Sequence, residues 1–287
     1  MNYENLMARA ASIFNAAPEN TVTAEDALRP DLSGMKIYDE PICGVAAAGD
    51  PLFGQLKRPE IVGPESMTPQ EWNAGARSVL SFFFPFTERV RQSNRPAGNR
   101  RPGAPASDEW LHGRIEGQMM LNAFGKALCE ILRAEGFSAV CPSIDSRFRK
   151  TSPYASNWSE RHAAYVCGLG TFGLSRGLIT RKGMAGRFIS VITSAEIPPT
   201  PREYADPFEY CIMCGKCQVN CPAGAIDISK GVVNGKDQLV CGPFLDKSRL
   251  PPHGPHQRVR YGCGNCQVDV PCESGIPLSA RRRKKDS

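Results

Sequence analysis

Apolar residues recur along this chain in two rhythms. Over 108–135 they fall three and four positions apart, and Leu121, Phe124, Leu128 and Ile131 make one stripe of an amphipathic helix. Gly136 ends it. A first helix is expected around Glu4–Asn15. Thr68-Pro69-Gln70-Glu71 reads as a helix start, with Thr68 capping, Pro69 in the first turn and Glu71 completing a capping box. Asn157-Trp158-Ser159-Glu160 reads as a second capping box, opening a helix that runs through Cys167 and closes at Gly168. The other rhythm is continuous rather than periodic. Ser78-Val79-Leu80-Ser81-Phe82-Phe83-Phe84 is short and aromatic, as a buried strand is. Gly186–Thr193 and Ser138–Cys141 are expected as further strands. Residues 91–107 are polar and rich in Pro and Gly, which predicts a long loop, and residues 1–65 are otherwise mixed and irregular.

From Asp206 onward the sequence becomes cysteine-dense and turn-rich. Pro198, Pro199 and Pro201 mark a linker before it, so the chain divides into 1–200 and 201–287. The 287 residues, 41% of them hydrophobic, can bury a substantial core. The formal charge of +6 is concentrated at one end: Arg281, Arg282, Arg283, Lys284, Lys285 and Asp286 contribute five positive and one negative charge, leaving +2 elsewhere. No broad basic surface follows, so composition gives nucleic-acid binding no support. The first residues carry no apolar targeting core, and no run approaches the length of a membrane span. A cytoplasmic protein without membrane association is expected.

Cysteine changes the picture most. There are twelve, and eight lie after position 210. In the first group, Cys211, Cys214 and Cys217 are separated by two residues each, and Cys221-Pro222 follows after three more. This is the spacing of bacterial ferredoxins, in which three thiolates wrap one [4Fe–4S] cluster and the fourth ligates another. Zinc is the alternative, but it favours two CxxC pairs and no Cys-Pro ending. The second group is Cys241, Cys263, Cys266 and Cys272. The crossed logic assigns Cys211, Cys214, Cys217 and Cys272 to one cluster, and Cys221, Cys241, Cys263 and Cys266 to the other. Cys43, Cys129, Cys141 and Cys167 each stand alone and are expected in the core.

A second block sits upstream of these cysteines. Trp158-Ser159-Glu160-Arg161-His162-Ala163-Ala164 leads into Cys167-Gly168-Leu169-Gly170-Thr171-Phe172-Gly173, then Leu178-Ile179-Thr180 and the strand beginning at Gly186. Together with the cluster motif this resembles the epoxyqueuosine reductases and, beyond them, the reductive dehalogenases. The resemblance covers roughly residues 70–277. It implies an α+β protein: a nitroreductase-related α/β core that binds cobalamin, followed by a ferredoxin-like domain with two [4Fe–4S] clusters. Three features depart from that pattern. Leu174 stands where the family has Lys, the last cysteine spacing is five residues rather than three, and the chain ends fifteen residues after Cys272, without the helical repeats that grip tRNA. A short relative acting on a small molecule is therefore expected, and tRNA is not.

The resemblance places Asp145 at the substrate face as a proton donor, with Ile144, Phe148 and Pro142 favouring burial and Arg147 and Arg149 opposing it. It sets His162 and the loop Gly168, Leu169, Gly170, Thr171, Phe172, Gly173 against the cofactor. A Gly-x-Gly-x-x-Gly loop that follows a helix lets backbone approach a large group closely, and it is not the dinucleotide fingerprint, which follows a strand. The expected activity is an iron–sulfur, corrinoid-dependent reductase fed by a reduced ferredoxin or flavodoxin. Two alternatives stand beside it: a non-enzymatic carrier or activator of another corrinoid protein, and a flavin-dependent reductase.

Overall fold

The computed structural model describes residues 2–280 except 99, 102 and 153. The basic run at 281–286 lies outside the described residues. Helix α1 (Tyr3–Ala16) begins at Asn2, whose side chain accepts the Asn5 N–H. Strand β1 (Ile42–Ala47) follows, then the short helices α2 (Pro51–Gln55) and α3 (Pro69–Trp72). At α3 the expected capping box is present, with the Thr68 N–H donating to Glu71 Oε2 at 2.6 Å. Strand β2 (Ser78–Pro85) is buried at all eight positions, which is why its sequence is continuously apolar rather than alternating. Helix α4 (Glu88–Ser93) takes the start of the segment expected as loop.

Helix α5 (Asp108–Ala134) is 27 residues long, capped by Ser107 and terminated before Gly136, whose φ is +86°. Leu121, Phe124 and Leu128 are fully buried as expected, but Leu132 rather than Ile131 completes the buried stripe. Strand β3 (Ala139–Val140), helix α6 (Glu160–Val166), strands β4 (Gly170–Phe172) and β5 (Leu178–Thr180), and strand β6 (Gly186–Thr193) complete the first part.

The main sheet is antiparallel throughout, in the order β1-β2-β6-β3. One face packs on α1 and α5, through Leu80, Phe82, Phe84, Ile189 and Val191. The other meets α2, α3 and α6 through Ala46, Val79 and Ile192, against Trp72 and Trp158. The result is three layers with mixed α+β character. Strand β3 pairs with β6 only at Ile192 and Thr193, so among the described residues the edge of β6 from Gly186 to Val191 has no strand beside it. That open edge positions the site.

Helix α6 starts differently from the expectation. Its N-cap is Ser159, not Asn157. The Asn157 side chain is committed elsewhere: Oδ1 accepts the Arg149 N–H at 3.0 Å and Nδ2 donates to the Arg147 carbonyl at 2.9 Å. It therefore pins the turn after Asp145 instead of capping a helix.

The cysteine-rich part carries the short helices α7 (Lys216–Val219), α8 (Gly231–Asn234) and α9 (Gln238–Lys247). It is bolted to the first part by buried charge. Arg260, fully buried, donates to Glu116 Oε1 at 2.6 Å and to the Asp26 carbonyl at 3.0 Å. Arg258 pairs with Asp26 at 2.6 Å, and His112 Nδ1 lies 2.9 Å from Glu116 Oε2. The Leu28 N–H donates to His112 Nε2, so the ring proton sits on Nδ1 and faces Glu116. A second bolt joins Glu273 to Arg91 and Arg95 of the α4 region. The change in composition near 200 is thus a chemical boundary crossed by buried ion pairs. Among the described residues no helix is long and apolar enough to cross a membrane.

Candidate redox site and adjoining cleft

The eight C-terminal cysteines are gathered in two neighbouring sets. Cys211, Cys214, Cys217 and Cys272 line one small cavity, closed by Leu174, Ile179 and Val270. Burial pushes the Cys272 thiol up to about 12, and Cys217, Cys211 and Cys214 beside it act in the same direction. In the second set, burial pushes Cys263 up to about 11, with Cys266 and Cys221 as its thiol neighbours. Cys241 is raised by burial as well, opposed by Lys236, and Cys266 and Cys221 again press on it. Cys217 and Cys266 are neighbours across the two sets.

These facts bear on what the thiols can hold. Four thiols crowded in an apolar shell cannot all ionise unless a polycationic group neutralises them. Among the described residues no three His, Cys, Asp or Glu side chains converge closely enough for a single metal ion. A cavity ringed by four thiols, rather than a point, is what a cluster core requires. The thiol donors and the apolar cavity ringed by Cys211, Cys214, Cys217 and Cys272 fit an iron–sulfur cluster. Leu174, 2% exposed, packs on Cys217 and Val270, and a lysine there would bury an unpaired charge.

The two sets differ in surroundings. Cys214 is exposed, so the first set reaches the surface. The second is half-buried throughout, and there Arg161 neighbours Cys266 and Cys241 and Arg114 neighbours Cys241. Arg161 keeps accessible surface, yet burial lowers its pKa. The same holds for Arg187 of β6. A side chain enclosed by protein but still accessible lines a cleft. The candidate cleft lies at the open edge of β6, where Arg187 donates to Gln118 of α5 and stands near Arg161 of α6. Met119, Ile144 and Phe148 are exposed apolar residues on α5 and the turn after β3.

Tyr261 lies between two guanidiniums, with Arg114 4.5 Å and Arg249 4.3 Å from its ring centre. Burial pushes its phenol up, but the Arg114 hydrogen bond and the charges of Arg114, Arg249 and Lys150 bring it net below its ordinary value. His162 is held neutral: burial, then Arg161 and Arg176, push it down to about 3. Its Nδ1 is 2.7 Å from Ser159 Oγ, and its ring packs 4.8 Å from Phe172.

The glycine loop does not face the cleft. Leu169 through Gly173 are buried. A Cβ on Gly168 would press on Thr200 and Pro201, on Gly170 on the Ile179 backbone, and on Gly173 on the Ile179 side chain. The close approach that demands glycine is chain on chain, in the β4–β5 hairpin and under the 200–210 segment. Thr171 Oγ1 accepts the Tyr210 N–H at 2.9 Å and so fixes the entry to the first cysteine.

Asp145 is also placed otherwise than a proton donor needs. Arg147 grips both its oxygens, at 2.8 and 3.0 Å, and is itself held over the Trp72 ring at 5.0 Å. The Arg147 hydrogen bonds lower the Asp145 pKa and outweigh burial, which opposes them. A carboxyl that loses its proton more readily than usual is a poor general acid. Asp145→Asn is therefore expected to leave iron content unchanged and to slow turnover less than about ten-fold, whereas a loss of a hundredfold or more would restore the acid role.

Glu160, read from the sequence as the end of a capping box, has the opposite character. Burial pushes its carboxyl up to about 8, against the hydrogen bonds from Ser190, Trp158 and Ser143. Ser190 Oγ donates to its Oε2 at 2.7 Å, while Oε1 has no partner among the described residues. Burial here thus favours the neutral acid over the carboxylate.

No protein-family model matches the sequence, and no curated protein matches it. Solved structures do match. An epoxyqueuosine reductase in complex with an epoxyqueuosine-modified tRNA stem loop superposes with a TM-score of 0.51 at 16% identity, over 98% of this chain and 68% of that one. The Bacillus subtilis epoxyqueuosine reductase, described with an aspartate-bearing catalytic loop swung out of the active site, gives 0.50 at 17%, over 96% and 66%. A reductive dehalogenase for which a B12-dependent mechanism is described gives 0.50 at 12%, over 98% and 38%. The fold is that of the epoxyqueuosine reductases and the reductive dehalogenases. The chain spans about two thirds of the length of the former and under two fifths of the latter. Because one neighbour holds a tRNA stem loop, the expectation against tRNA loses its footing.

Proposed function

We propose that this protein is a reductase that carries electrons from its surface, through two [4Fe–4S] clusters, to a corrinoid in the arginine-walled cleft and on to a substrate there. The observation that carries the reading is the order of the parts: a thiol set that reaches the surface at Cys214, a second, half-buried thiol set next to it, and a cleft against the second. Cys211, Cys214, Cys217 and Cys272 would hold the outer cluster, and Cys221, Cys241, Cys263 and Cys266 the inner one. A small reduced ferredoxin or flavodoxin would deliver electrons at Cys214. The substrate would be a small molecule.

The cleft suits a large amphipathic cofactor. Met119, Ile144 and Phe148 offer apolar surface, and Arg161 borders the inner thiols with His162 next to it. Bound cobalamin would supply a strongly reducing, nucleophilic metal centre, and the protein would supply electrons, protons and a dry site. Arg161, beside Cys266 and Cys241, offsets the negative charge of the inner cluster and so favours its reduced form. Glu160 is the proton source in this reading, since burial favours its neutral form and Ser143 ties it to the turn after β3.

The test is anaerobic reconstitution with iron, sulfide and cobalamin, read by absorption spectroscopy after gel filtration. Stoichiometric corrinoid retention and its reduction by a reduced ferredoxin are expected. Retention of flavin instead of cobalamin would overturn the corrinoid assignment.

A further inference from the structure

The chain neutralises its buried arginines almost everywhere. Arg260 pairs with Glu116 and Asp26, Arg258 with Asp26, Arg29 with Asp108 and Glu109, and Arg91 with Glu273. Arg100 near Cys263 and the arginines of the cleft are exceptions. Arg114, Arg161, Arg176 and Arg187 form no ion pair with any described carboxylate, although they stand within electrostatic reach of one another. A guanidinium cannot shed its proton inside a protein, so Arg187, which burial disfavours as a cation, carries an electrostatic cost until an anion arrives.

Two of the four have a partial explanation. Arg161 faces the thiols of Cys266 and Cys241 and donates to the Arg176 carbonyl, while Arg176 donates to the Val233 carbonyl. Arg187 has no thiol among its neighbours. Its charged neighbours are Arg114 and Arg161, with Tyr38 and Tyr261 opposing them. Its Nη2 donates to Gln118 Oε1 at 2.7 Å, and Gln118 Nε2 donates to Asn122 Oδ1 at 2.9 Å. This chain of amides along one face of α5 holds the guanidinium in place while leaving its Nε buried without a partner. Arg114, one turn before Gln118 on the same face, is held against Tyr261. One immobilised guanidinium with a free buried donor, a second beside it on the neighbouring helix, and no acid to meet either, are the equipment of an oxyanion site.

We propose that Arg187 and Arg114 form an oxyanion subsite in the cleft, and that the substrate is a small molecule bearing a carboxylate or phosphate group. This rests on the reductase reading only in calling the ligand a substrate. The subsite anchors the anionic end, and the reducible part of the molecule extends toward the inner thiol set.

The experiment is titration calorimetry of the anaerobically reconstituted protein with benzoate and, separately, inorganic phosphate at constant ionic strength. Saturable binding to one site is expected for at least one of them. Arg187→Gln should weaken it by about ten-fold or more, and Arg187→Lys should weaken it less. Iron, sulfide and corrinoid content should stay unchanged in both variants. Failure of the wild-type protein to bind either anion would overturn the proposal, and so would equal binding by Arg187→Gln. Loss of corrinoid from Arg187→Gln with anion binding intact would assign the guanidinium to the cofactor instead. Displacement of phosphate by an unmodified tRNA stem loop, at concentrations where a DNA hairpin of equal length has no effect, would overturn the small-molecule assignment. If no corrinoid is retained but Arg187-dependent benzoate binding persists, the subsite stands and the corrinoid reading falls.

Discussion

Cys272→Ala is expected to lose one cluster outright, cutting bound iron to about half and electron delivery to the cleft by at least a hundredfold, because a relay fails when one member is removed. The informative part is which cluster survives. Cys272 follows the second cysteine group in sequence, yet its thiol shares a cavity with Cys211, Cys214 and Cys217. Cys272→Ala and Cys211→Ala should therefore leave the same paramagnetic signal after reduction. Cys221→Ala and Cys241→Ala should leave the other one. Electron paramagnetic resonance of the four reduced variants checks this. If Cys272→Ala instead pairs with Cys263→Ala, the crossed assignment is wrong and the unusual five-residue spacing before Cys272 reflects local ligation.

The second large effect is on stability. Glu116 meets Arg260, Arg258 and His112 in a region where Arg260 has no exposure at all. Breaking a buried pair by removing one partner leaves the other uncompensated, at a cost of about 3–5 kcal/mol, against about 0–1 kcal/mol for an exposed pair such as Arg58–Glu60. Glu116→Ala should lower the midpoint of thermal unfolding by on the order of 10 °C. The double variant Glu116→Leu with Arg260→Met should recover part of the loss, since no charge is then orphaned between these two. A drop no greater than that of an exposed pair would mean that water reaches Arg260. The pH dependence has a definite sign. Burial pushes the Glu116 carboxyl up, but the His112 and Arg260 contacts outweigh it and hold it below its ordinary value. Its contribution is complete above the unfolded value of about 4.3 and disappears as the pH falls through the lower folded value, so wild type and Glu116→Ala converge in strong acid.

What could be read from the sequence divides along physical lines. Ligand spacing is local, so the first cysteine group, Cys211 to Cys221, is legible in the order of residues alone. Long periodic or continuous segments are legible too: α5, β2 and β6 fall within a residue or two of expectation. Strand β1 is not, because Ile42–Ala47 is short, holds Gly44 and two alanines, and becomes a strand only by lying against β2. The Asn157 cap misleads because its polar groups serve a turn eight to ten residues upstream. The glycine loop is a place of close approach, as its composition suggests, but the approaching atoms belong to the chain itself. The arginine wall is beyond sequence reasoning. Arg114, Arg161 and Arg187 come from α5, α6 and β6, and only the unpaired edge of β6 brings them to one cleft. Asp145 and Glu160 differ in character for the same reason: Arg147 reaches one, and the sheet buries the other.

The central claim is that these eight thiols hold two four-iron clusters. Iron and acid-labile sulfide determined on anaerobically purified protein test it most directly. The account predicts about eight of each per chain. About four of each would leave room for a single cluster and contradict the relay, and zinc without sulfide would contradict the iron–sulfur reading altogether.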